Sequence, residues 1–279
     1  MTSTLERIST ASPGPARERA GRAVGTNSEE ALRRRLDAGT LTWRGPALML
    51  FARTVFGVGA QAVVAGAFVL RSSPTPWHDA EPWLPIYATL IDAGCLALMW
   101  WLTRREGIRL FDLVGFERRL LVRDVLLGLA IVPAELAVIL GGVYAAGWLV
   151  YGTLTPPLLF ESLPGPATFY AALVFPVLWG LTEQMTYNGY LLPRVRVLSG
   201  STSLAVACVA FVWALEHAFL PLTFDPRYMA ARLLGALPNS VFQTLLYLRL
   251  RRLLPLAIAH ALLDGSTVWI GAISSLLKA

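Results

Sequence analysis

Charge is scarce in this chain. Asp, Glu, Lys and Arg make up 15% of its 279 residues, against about 25% in an ordinary globular domain. Set beside 55% hydrophobic residues, the deficit excludes a soluble enzyme with a large core and points to a polytopic membrane protein. Cysteine is scarcer still. Cys95 and Cys208 are the only two, each inside an apolar run, which fits small buried hydrophobes rather than a disulfide or a metal site. Also missing is an apolar leader: residues 1–44 carry Arg7, Arg17, Arg19, Arg22, Arg33, Arg34, Arg35 and Arg44 but no hydrophobic stretch, so no cleavable signal peptide is expected. The net charge of +6 would suit nucleic acid, but the basic residues sit in short clusters between apolar runs. There they report topology, and no nucleic-acid partner is expected.

Residues 1–44 read as a cytoplasmic basic tail. Pro, Gly, Ser and Arg dominate to about Thr26, a composition of disorder. Asn27-Ser28-Glu29-Glu30 then starts a short helix through Leu36, with acids in its first turn. A basic tail followed by a short amphipathic helix suits the cytoplasmic membrane surface. A transit peptide is the alternative, weakened by Glu6 and Glu18. Residues 45–279 form the membrane domain, without internal repeats, long linkers or an extramembrane domain.

Crossing a bilayer takes about 20 mostly apolar residues. Spans are predicted near 47–70, 83–103, 125–150, 166–192, 202–220, 229–249 and 254–273, about seven in all, of which 229–249 is the least apolar. The expected fold is therefore an all-α, polytopic transmembrane helical bundle in the cell membrane. Pro176 and Pro238 predict kinks or broken turns in the fourth and sixth spans. With the N-terminus inside, 20 of the 24 Lys and Arg fall on the cytoplasmic side. Arg71, Arg227, Arg232 and Lys278 lie on the other, an asymmetry that supports a cytoplasmic N-terminus.

Against this apolar background the ionisable residues stand out, because each costs roughly 2.5–3.5 kcal/mol at bilayer depth on insertion scales. The fourth span contains Glu183-Gln184, with Tyr187 one turn after Glu183 and Asn188 one turn after Gln184. The fifth carries Trp213 one turn before His217, and the seventh places His260 and Asp264 one above the other. Three helices thus offer Glu, His and His-Asp to one cavity. Asp92 and Glu135 are further intramembrane carboxylates, for which structural pairing or cavity lining is expected. Glu216 points about 100° away from His217 and reads as a supporting or rim residue. Asn239 and Gln243 share a face and predict interhelical hydrogen bonds.

The ordered motifs resemble the CAAX-processing and bacteriocin-processing (CPBP, or ABI) family of intramembrane proteases. Its pattern is Glu-Glu-x-x-x-Arg, then Phe-x-x-x-His, then His-x-x-x-Asn or Asp, in successive membrane helices. Glu183, Trp213-x-x-x-His217 and His260-x-x-x-Asp264 match in order, within a motif core of about 165–270. The segment Tyr187-Asn188-Gly189-Tyr190-Leu191 is similar to the aromatic-Arg-Gly-x-Leu continuation of the first motif. Three positions depart: Gln184 replaces the second Glu, Asn188 replaces the Arg, and Trp213 replaces Phe. The first two changes are concerted, and they suggest a neutral amide pair at the spacing of an ionic one.

The resemblance implies an intramembrane endopeptidase acting on membrane-associated peptides or proteins, with prenylated CAAX substrates one possibility. It implies that Glu183 with His217 activates water while His260 and Asp264 help stabilise the oxyanion. Gln184, Asn188, Tyr187 and Trp213 would support them. Asp264 either orients His260 or holds a proton there. A zinc version would use Glu183, His217 and His260 as ligands with an open fourth position. No His-Glu-x-x-His pair preorganises such a site, and a cofactor-free mechanism is favoured. The rival class is an inactive membrane scaffold or immunity protein of the same fold, for which Gln184 and Asn188 are the best argument. A proton-coupled transporter is a third reading, disfavoured by the motif order.

Overall fold

Ser28 starts the first helix, its hydroxyl accepting from the Ala31 N–H as an N-cap should. In this computed structural model the described residues are 25–154 and 163–276, with side chains to residue 269. Among them no strand occurs, and the order is helical throughout: α1 (Glu29–Asp37), α2 (Arg44–Leu50), α3 (Ala52–Leu70), α4 (Pro76–Ala80), α5 (Leu84–Arg105), α6 (Leu121–Tyr151), α7 (Gly165–Leu173), α8 (Phe175–Gln184), a π-helical segment (Met185–Leu191), α9 (Leu192–Ser199), α10 (Thr202–Phe219), α11 (Pro226–Leu250) and α12 (Leu254–Leu276). Short 3₁₀ turns punctuate the connections.

The all-α membrane bundle is what the apolar pattern requires. Five stretches of described residues are long and apolar enough to cross a bilayer: Ala52–Leu70, Pro76–Arg105, Leu110–Tyr151, Gly165–Ser199 and Thr202–Phe219. The sixth and seventh expected spans are also helical. At 25 and 23 residues, α11 and α12 reach about 37 and 34 Å at 1.5 Å per residue, enough for a hydrocarbon core of about 30 Å. α11 falls short on apolarity because Arg227, Arg232, Asn239 and Gln243 lie within it.

The fourth span is not one helix. It breaks at Val174, where Pro176 occupies the first turn of α8 and cannot continue α7. It then widens into the π-helical segment, which the α-helical spacing did not predict. Pro238, by contrast, sits inside an uninterrupted α11. The first span is also divided, into α2 and α3 at Phe51.

The tail expectation falls mostly on residues 1–24, outside the described residues. Thr26, however, is buried and its carbonyl accepts from Arg35. α1 and the segment after it pack on α9 through Leu32, Leu41 and Val197, with Arg196 paired to Glu29 at 3.2 Å. Asn27 Nδ2 donates 2.8 Å to the Gly189 carbonyl in the π-helical segment.

The topology count needs one correction. Arg53 and Arg194, both counted as inner-face cations, are fully buried and ion-paired. They report pairing rather than sidedness. Without them the inner total drops from 20 to 18, and the asymmetry persists.

Two glycines set how closely the site helices approach. A Cβ on Gly180 would stand 3.0 Å from the Ala261 backbone nitrogen, so glycine lets α8 and α12 meet backbone to backbone. Gly142 does the same between α6 and α11, against the Gly235 carbonyl.

Candidate active site

Glu183 and Gln184 are the last two residues of α8, at the entry to the π-helical segment. Such wide turns are rare and are frequently found at functional sites. Both side chains are fully buried. One turn before Glu183, Gly180 brings α12 close, and α12 carries His260. His260 Nε2 lies 3.1 Å from Glu183 Oε2 and 3.3 Å from Asp264 Oδ2. Its other nitrogen, Nδ1, lies 3.2 Å from Gln184 Nε2. An amide nitrogen only donates, so Nδ1 accepts, and the proton of a neutral ring sits on Nε2 facing the two carboxylates. Gln184 in turn accepts from Asn188 Nδ2 at 2.8 Å through Oε1. The amide pair expected from the i, i+4 spacing is therefore formed, and it also sets the tautomer of His260.

Neither oxygen of Glu183 accepts a hydrogen bond of good geometry from the protein, although both are buried. His260 Nε2 approaches one of them to 3.1 Å. Buried carboxylate oxygens are normally satisfied, and one that is not calls for a functional reason.

His217 stands apart from this contact. It is partly buried near the end of α10, and among the described residues no carboxylate reaches ion-pair distance of its ring. Its Nδ1 lies 3.0 Å from the Trp213 carbonyl. A carbonyl only accepts, so in the neutral ring Nδ1 holds the proton and Nε2 keeps its lone pair. Trp213 joins the two halves of the site: it stacks on Tyr187 at 4.8 Å and on His260 at 6.0 Å, both at 13°.

The residue that the sequence reading missed is Arg53. Fully buried on α3, it donates to Glu216 Oε1 at 2.8 Å and to Asp92 Oδ1 at 3.0 Å. Its Nη2 lies 3.8 Å from Glu183 Oε1, and its guanidinium stacks 4.1 Å from the Trp179 ring. Glu216 accepts from Tyr187 Oη at 2.6 Å as well, so it is a buried support rather than a rim residue. Asp92 is structurally paired, as expected. The signal for Arg53 was present: it is an ionisable residue in an apolar run, the criterion that had marked Asp92. By its position near the start of a span it reads as an inner-face cation instead.

Glu135 on α6 forms a second polar cluster. Its Oε1 accepts from Asn239 at 3.3 Å and from Gln243, the interhelical bonds expected of those amides. The alternative zinc version named Glu183, His217 and His260 as ligands. His260 Nε2 is turned onto two carboxylates and His217 stands away, and among the described residues no three His, Cys, Asp or Glu side chains are arranged to hold a metal ion.

Residues 165–266 match the family described as type II CAAX prenyl endopeptidase Rce1-like. That match supports the resemblance of this segment to the CAAX proteases. Neither the curated proteins nor the solved structures gave a match. The CAAX protease segment contains Glu183, Gln184, Asn188, His217, His260 and Asp264, whereas Arg53, Asp92 and Glu135 precede it. With five apolar stretches of spanning length among the described residues and this match, the chain is a multi-pass membrane protein.

Proposed function

We propose that the chain is an intramembrane glutamate endopeptidase that hydrolyses membrane-associated substrates, prenylated C-terminal peptides among them. The observation that carries this reading is the buried Glu183 carboxylate, neither oxygen of which accepts a well-formed hydrogen bond from the protein, with His260 at 3.1 Å. A water held by Glu183 gives up a proton to the carboxylate as its oxygen attacks the peptide carbonyl carbon. His217, whose Nε2 lone pair is left free by the Trp213 carbonyl, shares in holding that water. His260, oriented by Asp264 and Gln184, offers its Nε2–H to the developing oxyanion. Collapse of the tetrahedral intermediate breaks the C–N bond, and the proton on Glu183 passes to the leaving amine. Arg53, paired with Asp92 and Glu216, is the fixed counter-charge behind Glu183.

The departures from the family pattern support activity rather than argue against it. Gln184 and Asn188 are hydrogen-bonded to each other and onward to His260, so the altered residues still serve the site. The test is purified protein in liposomes with prenylated and unprenylated C-terminal peptides, products read by mass spectrometry. Cleavage by the wild type that survives undiminished in Glu183→Ala would sink the assignment.

A further inference from the structure

Among the described residues, three buried or largely buried arginines of this bundle are paired with carboxylates. Arg53 has Asp92 and Glu216, Arg194 has Glu106, and the largely buried Arg252 has Asp124. Arg232 differs. It sits in the second turn of α11, about 9 Å along the helix from its start at 1.5 Å per residue. It is partly buried, and among the described residues no carboxylate lies within ion-pair distance of it. Its Nε donates 3.3 Å to the backbone carbonyl of His217. Nη1 and Nη2 donate to no protein acceptor among the described residues. Unlike Arg53 Nη2, they are not sealed from the surface.

An arginine side chain in a membrane helix often snorkels to the interface. This one is instead tied by Nε to the backbone of His217, the residue that the proposed mechanism places at the attacking water. With Nε engaged, the edge left open is the Nη1–Nη2 pair, two parallel donors that match the two oxygens of a carboxylate. We propose that Arg232 is the subsite for the free C-terminal carboxylate of the peptide substrate. The proposal rests on the protease reading of the Glu183 site. A peptide drawn into an apolar cleft can lack acidic side chains, but an unblocked one always carries its terminal carboxylate. An unmatched cation is what such a group needs to leave water. Because Arg232 holds the backbone of His217, the anchored terminus lies within a few residues of the scissile bond. The products are then a short C-terminal peptide and a shortened membrane-bound chain.

The experiment uses the full chain in lipid nanodiscs with one fluorescent prenylated peptide, as the free acid and as the C-terminal amide. Binding is measured by anisotropy and cleavage by kcat/KM. The wild type should favour the acid by about 10- to 100-fold, the range of a hydrogen bond to a charged group. Arg232→Gln should bring the acid-to-amide ratio near one, through KM more than kcat. Arg232→Lys should restore part of it. A purely structural role for Arg232 lowers acid and amide alike and leaves the ratio unchanged, which overturns the proposal, as does a wild-type ratio near one. Should no peptide be cleaved while the wild type still binds the acid selectively and Arg232→Gln does not, the protease reading falls and the carboxylate subsite stands. If Arg232→Gln instead loses retained phosphatidylglycerol with the peptide ratio unmoved, the group bound is a lipid phosphate and the proposal fails.

Discussion

The family-matched segment and the helices that precede it supply opposite halves of the same buried polar contacts. Residues 165–266 bring the carboxylates Glu183, Glu216 and Asp264 to the site. The fixed cation behind them, Arg53, comes from α3, and Asp92 on α5 holds it from the other side. At the second cluster the direction reverses: Glu135 lies upstream on α6, and its donors Asn239 and Gln243 belong to the matched segment. Each region carries buried groups that it cannot satisfy alone. A motif that identifies the family is therefore not a self-sufficient site, because removing one partner of a buried pair leaves the other uncompensated.

The sharpest contrast sets the proposed base against a supporting group. Glu183→Gln keeps the shape and loses the base, and should lower kcat by about 10²- to 10⁴-fold with an unchanged melting temperature in detergent. Arg53→Met should act on stability first. It strands two carboxylates and should destabilise the fold by about 3–5 kcal/mol, read from thermal or denaturant unfolding of the solubilised protein. If it unfolds no more easily than wild type, the upstream helices do not supply the counter-charge of these carboxylates. The concerted departure gives an intermediate test. Gln184→Glu alone places a third carboxylate around His260 and should cut turnover about tenfold or more, whereas adding Asn188→Arg should recover much of it. A double variant no better than the single would mean that the two positions are not coupled. Asn27→Ala, which removes the bond to Gly189, should cost about 1 kcal/mol in the same unfolding assay. Smallest of all, a chelator should leave cleavage unchanged. Activity that vanished and returned with zinc would reverse the metal-free reading.

Much of this was legible from spacing. Apolar segments of spanning length located the long helices, and His260 with Asp264 at i, i+4 is what the structure displays. The Gln184–Asn188 bond followed from the same periodicity, and the Asn239–Gln243 face from the cost of idle polarity in a membrane. Three things were not legible. Arg53 was hidden by position, since an arginine near the start of a span is ordinarily a topology signal. The π-helical segment was hidden because Met185–Leu191 satisfies the α-helical pattern equally well, and tertiary packing decides between the two windings. The separation of His217 from Glu183 was hidden because motif order says which helices face one another but not how far apart they stand.

Gly180 has a consequence for traffic. With α8 and α12 in backbone contact one turn from Glu183, the seam between those two helices is shut to a peptide or an isoprenoid tail. No substrate reaches the carboxylate laterally through it. Any doorway from the lipid lies elsewhere on the bundle. An alanine at position 180 would not open the seam into a passage; it would move the imidazole of His260 off its carboxylate.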